Sequence, residues 1–437
     1  MITTNSTTIL ETPDQIFTDV IATATELESH GKYREAVKVL SSFWPGPGHP
    51  PNEPISDEEG CQLWLRAGAL TSALGATSQQ CGWQEQAKDM LTVSSEYSRN
   101  AGYHELWLEA QKELGNCYWR EGAFGEARAI LEPAIDASSV ATTTGLLLRI
   151  NLTMVERSEL RYEEALNMLL PLQVPVAASD NHALRGRFHN AMALSHKGLG
   201  NLDSAIVEMK ECCVQLTLAE HKPLLTGAEI NLGNWHIAAN RFDVALEHLN
   251  RAISLADSMD DFVHLAHARD SAALAYLGLK NYEFAEQEAR SSVALWDLGD
   301  QYSHLVDSLV NHARALAGLG NRVEACRTYV RAMSVAEERL SSQKAARIGV
   351  EVVEKLAGPL SLDTGMSYEQ LVDQYKLSLI ESALATGGIT EAAHRLGMQH
   401  QHLSWLVNNS YPHLRTSPRR YRSIITRSSV KSSRKKK

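Results

Sequence analysis

Apolar residues recur along most of the chain at the spacing of one helix face, and short polar turns separate these stretches. A small residue marks the period, because Ala recurs at spacings of 40, 38, 40, 40, 40 and 40 residues. Several copies have an aromatic residue three residues before this Ala, and most copies have Gly or Asn five residues before it. The alanines are Ala87, Ala127, Ala165, Ala205, Ala245, Ala285 and Ala325, the aromatics Phe124, Tyr162, Phe242 and Tyr282, and the turn residues Gly82, Gly122, Gly200, Asn240 and Gly320.

This period predicts a unit of two helices joined by a tight turn. A small residue is needed where two helices approach closely, and Gly115 and Gly233 on the first helix match the alanine column on the second. One such pair cannot bury its own apolar face, so the pairs must stack into a solenoid with a shared core. We therefore predict an all-α fold with about eight copies over residues 16–356, interrupted by a Pro-rich insertion at 44–54.

The repeated residues resemble the tetratricopeptide repeat (TPR), with its Leu-Gly pair and its Gly-x-Tyr/Phe-x-x-Ala run, in a long variant found in bacterial signalling proteins. The resemblance implies that the first helix of each pair lines a concave face that binds a protein or peptide. An acidic or C-terminal peptide would suit its cations, and the alternative is that these residues are ordinary solvated charges. By register that face carries Lys112, Asn116, Trp119, Arg120, Arg157, Arg187, Asn190, Lys197, Asn234, His267 and Asp270.

The repeat register stops after Leu356, and the sequence then predicts a linker at 357–366 and a small helical module at 367–411. After a helix over about 368–385, a short helical hairpin follows, with Ala393 at the helix crossing and Gly397 at the turn. Its inward residues are Leu396, Met398, Leu403 and Leu406. The outward face of the last helix is uncharged and rich in amides that pair with adenine edges in the DNA major groove. That face consists of Gln399, His400, Gln401, Ser404, Trp405 and Asn408.

The charge of the chain is divided unevenly. The net charge is -10, but residues 1–356 hold 30 Lys+Arg against 47 Asp+Glu, whereas residues 357–437 hold 12 against 5. A basic tail at 412–437 carries ten of those cations and no carboxylate, which is typical of a segment that contacts a polyanion and equally of a solvated tail that binds nothing. As phosphate contacts on double-stranded DNA we predict Arg395, Arg415, Arg419, Arg420 and Arg422.

The C-terminal module resembles the Fis-type helix-turn-helix, because a Gly-Gly pair at 387–388 precedes the run Ala-Ala-x-x-Leu-Gly at 392–397. The whole chain is similar to a bacterial family in which TPR-like repeats precede a Fis-type module and a basic tail. Residues 117–124, 181–190 and 419–425 also carry this resemblance. His400, His402 and Trp405 make the recognition helix bulkier than usual, so its DNA contacts differ from those the resemblance implies.

Motifs for catalysis are missing from the sequence. It contains no GxxxxGK[ST], GxSxG or HExxH, and its 6 Cys and 17 His lack metal-ligand spacing, so we expect no enzyme activity, no metal and no cofactor. The first residues lack a basic and apolar signal segment, and no apolar run is long enough for a membrane span. These features predict a cytoplasmic protein without a membrane partner.

Two functions fit this sequence. The first is a sequence-specific transcriptional regulator, whose solenoid binds a protein or peptide and whose helix-turn-helix docks on DNA, with a homodimer supplying two half-sites. The second is a TPR scaffold whose basic end binds nucleic acid or acidic partners without sequence preference. Substitution of Gln399 distinguishes them, because only the regulator reads bases with that side chain.

Overall fold

The computed structural model describes residues 13–78, 82–356, 377, 380–381, 383–384, 388–396, 398–411 and 414. These residues form helices and turns without a strand, so the fold is all-α. The chain divides into two compact units, Met1–Leu356 and Ala357–Lys437. The first unit is a TPR-like solenoid. The predicted linker at 357–366, the turn residue Gly397 and nearly all of the basic tail, including Arg415, Arg419, Arg420 and Arg422, lie outside the described residues.

The first unit is built from consecutive antiparallel helix pairs. Within its described residues there are eight pairs, and a further helix follows the last of them. One pair is irregular, because a 3-10 turn at Leu170–Leu172 and a short helix extend its second member. The helices are α1 (Pro13–Ser29), α2 (Tyr33–Leu40), α3 (Glu58–Ser78), α4 (Trp83–Ala101), α5 (His104–Arg120), α6 (Phe124–Ala137), α7 (Thr143–Ser158), α8 (Tyr162–Leu169), α9 (Gln173–Ala178), α10 (His182–Gly198), α11 (Leu202–Leu218), α12 (Lys222–Ala238), α13 (Phe242–Asp257), α14 (Phe262–Gly278), α15 (Tyr282–Trp296), α16 (Tyr302–Gly318), α17 (Arg322–Arg339) and α18 (Ser342–Leu356).

The turn inside each pair depends on a residue with positive φ. Gly122 has φ +77° and Asn240 has φ +56°, as expected for residue types that tolerate the left-handed region. Leu160 and Lys280 hold the same position with φ 63° and 58°, although neither residue type favours it. The surrounding helix packing therefore imposes the turn in those two copies.

Small residues bring the two helices of a pair together. The alanine column is buried without exception, from Ala87 to Ala325. A Cβ at Gly115 would lie 2.6 Å from Leu131 Cδ2, and a Cβ at Gly233 would lie 2.6 Å from Leu249 Cγ. These glycines therefore accept a leucine from the second helix, four residues after the alanine.

The aromatic residues of the repeat connect one pair to the next. A Cβ at Gly278, near the end of α14, would lie 2.4 Å from the ring of Phe242 at the start of α13. Gly318 meets Tyr282 in the same way. In three copies a glycine at the end of the following first helix thus makes room for the preceding aromatic ring, since Gly198 meets Tyr162 in the same way.

The Pro-rich insertion between α2 and α3 is a packed loop. Trp44 is buried, and its Nε1 donates to the carbonyl oxygen of His49 at 2.6 Å. Trp64 Nε1 donates to the carbonyl oxygen of Glu53 at 3.0 Å. Two indoles therefore anchor this loop to the first two helix pairs.

The described part of the second unit contains a helical hairpin, α19 (Ile389–Arg395) and α20 (His400–Asn409). The amide of Met398 donates to the carbonyl oxygen of Ala393 at 2.9 Å and closes the turn between them. Leu403 and Val407 of α20 are buried. They pack with Ala392 and Ala393 in a separate hydrophobic cluster.

Candidate functional site

The turn between α1 and α2 reaches across the first unit to the turns before α12 and α14. Arg34 Nη2 donates to the carbonyl oxygen of Asp260 at 3.2 Å, and Lys32 Nζ lies 3.7 Å from Glu220 Oε2. The contact is tight, because a Cβ at Gly31 would lie 2.7 Å from Pro223 Cδ. The α1–α2 hairpin therefore bounds the concave space of the solenoid on one side.

Two cavities lie between this hairpin and the first helices of the following pairs. The first chamber has a volume of about 230 Å³ and is lined by residues of α1, α3, α5, α7 and α10. The second chamber has a volume of about 240 Å³ and is lined by residues of α3, α5, α10, α11, α12 and α14. Both chambers share Tyr33, Ala73, Arg120 and Arg187.

A network of ion pairs covers one wall of the first chamber. Arg66, whose side chain is only 4% exposed, lies 3.1 Å from Glu28 Oε2 and 2.7 Å from Glu109 Oε1. Lys112 Nζ lies 2.9 Å from Glu113 Oε1. The cations on this wall are therefore neutralised by neighbouring carboxylates.

The environment changes the protonation of two of these carboxylates in opposite directions. Burial raises the pKa of Glu28 to about 7, against the opposing effect of Arg66. Burial alone would also raise the pKa of Glu113, but Lys112 lowers it to about 2 by its charge and its hydrogen bond. Asn116 Nδ2 also donates to Glu113 Oε2 at 3.0 Å. Glu113 is therefore a fixed negative charge, whereas Glu28 titrates near neutral pH.

Arg187 differs from the other cations of the chambers. Among the residues that the structure describes, no carboxylate or hydrogen-bond acceptor pairs with it, whereas Arg120 Nη1 donates to Ser72 Oγ. Its charge acts on a neighbour, because burial and Arg187 together lower the pKa of His221 to about 3. His221 in turn faces Tyr33, with ring centroids 6.4 Å apart. A free guanidinium thus lies where the two chambers meet.

The structure brings five of the predicted concave residues together at the chambers. Lys112 and Asn116 line the first chamber, Asn190 lines the second, and Arg120 and Arg187 line both.

The other predicted concave residues have different surroundings. Trp119 Nε1 donates to Ser158 Oγ at 2.9 Å, and Arg157 Nε donates to the carbonyl oxygen of Thr153 at 3.3 Å. Burial lowers the pKa of Arg157 to about 10. Outside both chamber linings lie Lys197 on α10, Asn234 on α12, His267, whose ring centroid is 4.8 Å from that of Trp296, and Asp270, which accepts from Asn311 Nδ2 at 2.9 Å.

Several chamber residues were not predicted from the sequence. Tyr33 comes from the hairpin, and only the long-range contact with α12 brings it to the site. Asn151 and Asn231 also line the chambers, and with Asn311 they recur at a spacing of 80 residues. That asparagine column, present in alternate copies, was the available signal.

The predicted recognition face lies on the outer side of α20. Gln399, His400, Gln401 and Asn408 are exposed, and Ser404 is half-buried. Trp405 is 57% exposed, which is unusual for a large apolar side chain. Arg395 is the last residue of α19. This face joins amide groups to one accessible aromatic ring.

No group of three His, Cys, Asp or Glu side chains that could hold a metal ion occurs among the described residues. No helix of that same part of the chain has both the length and the apolar character to cross a membrane.

Comparison with known proteins supports the fold. The sequence matches no protein-family model and no curated protein. Among solved structures, the apo form of RapI is similar with a TM-score of 0.53 and 11% identity, over 80% of this chain and 97% of RapI. A signal-transduction ATPase with a tetratricopeptide-repeat sensor from Pyrococcus horikoshii gives a TM-score of 0.47 and 13% identity over 74% of this chain. This chain spans about half of that protein, 52%. The likeness to RapI supports the all-helical, TPR-like fold of this chain.

Proposed function

We propose that this protein is a cytoplasmic, sequence-specific DNA-binding regulator whose solenoid binds a protein or peptide partner. The observation that carries the proposal is the outer face of α20. It presents amide groups of Gln399, Gln401 and Asn408 without a carboxylate, shortly before a segment, 412–437, with ten cations.

The chemistry of this face suits the major groove. A glutamine or asparagine amide donates to and accepts from adenine in a bidentate pair, and each such pair contributes about 1–3 kcal/mol of discrimination. Leu403 and Val407 anchor α20 on its inner side, so the amides of Gln401 and Asn408 are held on a helix, and Gln399 is the N-cap residue of that helix. The resemblance to Fis-type helix-turn-helix modules supports the same assignment.

The basic tail supplies the affinity in this proposal. Each phosphate that a Lys or Arg neutralises releases counterions, so binding weakens steeply as salt rises. A single small module has a modest interface, and a homodimer would add a second half-site. The solenoid carries a net charge of -17 over residues 1–356 and would be repelled by DNA, which favours docking through the C-terminal unit.

The concave face supports the partner-binding part of the proposal. Outside both chambers this face carries Lys197 and Asn234, whose ammonium and amide groups bind carboxylates and main-chain carbonyl groups. An acidic or C-terminal peptide segment has that chemistry.

The test is selection of bound sequences from a random duplex DNA pool by the full-length protein. The Gln399→Ala/Gln401→Ala variant is run beside it, with Asn409→Ala as a matched control, because Asn409 donates to the Trp405 carbonyl oxygen at 2.9 Å on the same helix. We expect the wild type and the control to enrich a short motif that the double variant fails to enrich. Salt-sensitive retention of DNA without any motif would refute sequence recognition and favour the scaffold.

A further inference from the structure

The strongest unexplained feature of the molecule is the charge balance at the two chambers. The first chamber is lined by three carboxylates, from Glu28, Glu109 and Glu113. Arg66 and Lys112 are paired with these carboxylates. Arg187 has no partner among the described residues, so its positive charge faces the cavity uncompensated. A half-buried cation in that situation attracts an anion, since desolvation without a partner is unfavourable.

The neighbours of Arg187 also favour an anion. Arg120 lies on the lining of both chambers, and Tyr33 brings a phenolic hydroxyl to the same junction. Thr143, at the start of α7, and Asn181, the N-cap of α10, line the first chamber. Two helices therefore begin at this cavity, and the positive end of a helix dipole favours negative charge.

The size of the chambers limits the ligand. Volumes of about 230 and 240 Å³ are below the roughly 300–1,000 Å³ typical of sites for drug-sized molecules. An extended peptide advances about 3.3 Å per residue and needs a continuous open groove. Here the α1–α2 hairpin closes the concave space on one side through its contacts with Glu220 and Asp260, and Tyr33 lines both chambers. The space therefore suits a small molecule.

We propose that the junction of the two chambers is a binding site for a small anion, a carboxylate- or phosphate-bearing metabolite, held by Arg187 and Arg120. This site is separate from the proposed DNA contacts and does not depend on them. An anion on Arg187 would also lie beside Tyr33 of the hairpin, so binding would tie α2 to α10. Ligand would thereby strengthen the contact that already joins Arg34 to Asp260.

The experiment measures thermal stability of the full-length protein while sodium phosphate, succinate or citrate is titrated, with sodium chloride of equal ionic strength as the reference. The variants are Arg187→Met and Arg120→Gln, with Arg185→Met as the matched control. Arg185 lies on the same helix, but its Nη2 donates to the carbonyl oxygen of Ala177 at 2.8 Å and it lines neither chamber.

We expect a saturable rise in melting temperature with at least one anion, preserved in Arg185→Met. In Arg187→Met the half-saturating concentration should rise at least tenfold, roughly the effect of removing one charged hydrogen bond. A rise with phosphate alone identifies a phosphate-bearing ligand, and a rise with succinate or citrate alone identifies a carboxylate-bearing ligand. Hydrogen exchange in residues 13–40 should slow on binding, which a nonspecific salt effect would not cause.

Equal responses of the wild type and Arg187→Met would overturn the proposal. So would binding of an acidic hexapeptide that depends on Arg187 while the three small anions have no effect, because that result assigns the cation to the peptide partner. Far-UV circular dichroism confirms that each variant is folded before titration. A failure of DNA selection leaves all these outcomes unchanged, so the two proposals are tested separately.

Discussion

Two glycines on helix α12 should respond in opposite ways to the same substitution. A Cβ at Gly233 would lie 2.6 Å from Leu249 Cγ and 2.7 Å from Leu249 Cδ2, whereas carbon atoms in contact are about 3.5–4.0 Å apart. Leu249 is fully buried, so a shift of its side chain would press on packed neighbours. At Gly227 the nearest neighbour of a new Cβ is His264 Nε2 at 3.6 Å, an ordinary contact.

The magnitudes follow from two opposing effects. Replacing Gly with Ala inside a helix favours the helix by about 1 kcal/mol. Overpacking of a filled core costs about 1–3 kcal/mol. Gly227→Ala should therefore raise the free energy of unfolding by about 0.5–1 kcal/mol, whereas Gly233→Ala should lower it by up to about 2 kcal/mol.

Urea unfolding followed by circular dichroism measures the difference, with unchanged m-values as the check that only stability has changed. The clash itself is isolated by a double-mutant cycle with Leu249→Ala, which removes the obstructing side chain. Gly233→Ala should be stabilising, or at most neutral, in that background. If both glycine variants stabilise the protein equally, the close approach of α12 and α13 described here is wrong.

Three further outcomes are expected. Because burial raises the pKa of Glu28 from 4.5 to about 7, the folded state holds a proton that the unfolded state loses in this range. Stability should therefore fall by up to about 3 kcal/mol as the pH rises from 4.5 to 7, and Glu28→Gln should abolish this component, measured by urea unfolding at pH 5 and 8. Leu403→Ala removes a fully buried side chain from the cluster under α20, so it should abolish enrichment of the DNA motif, while salt-sensitive retention by the tail and urea unfolding of the solenoid are unchanged. Deleting residues 412–437 should weaken retention of every DNA sequence and flatten its dependence on salt by about 0.9 for each phosphate that the tail neutralises, and an unchanged slope would place the phosphate-binding cations elsewhere.

The repeat architecture was predictable because its determinants are local. The alanine column with its 40-residue period and the turn glycines specify two helices and their contact. The same residue types recur in the later copies and specify the same pair of helices there. The sequence also identified Gly115 and Gly233 as points of close approach, and both face a buried leucine. Where the local signal was weak, at Leu160 and Lys280, the helices on both sides still impose the turn.

The candidate chambers depend on information of another kind. The contact between Arg34 and Asp260 joins residues 226 positions apart, and it forms only because the small rotation between successive pairs accumulates until the first turn meets later ones. The spacing of residues in neighbouring copies does not reveal that rotation. The repeat register therefore predicted the positions of Arg120, Arg187 and Asn190 on the first helices. It did not predict Tyr33, because in the repeat pattern the α1–α2 hairpin is an ordinary copy. The same reasoning explains why the unpaired charge of Arg187 was not visible in the sequence. Glu28 and Glu109 meet Arg66 only through packing between helix pairs, and only the assembled solenoid shows that, among the described residues, no such partner reaches Arg187.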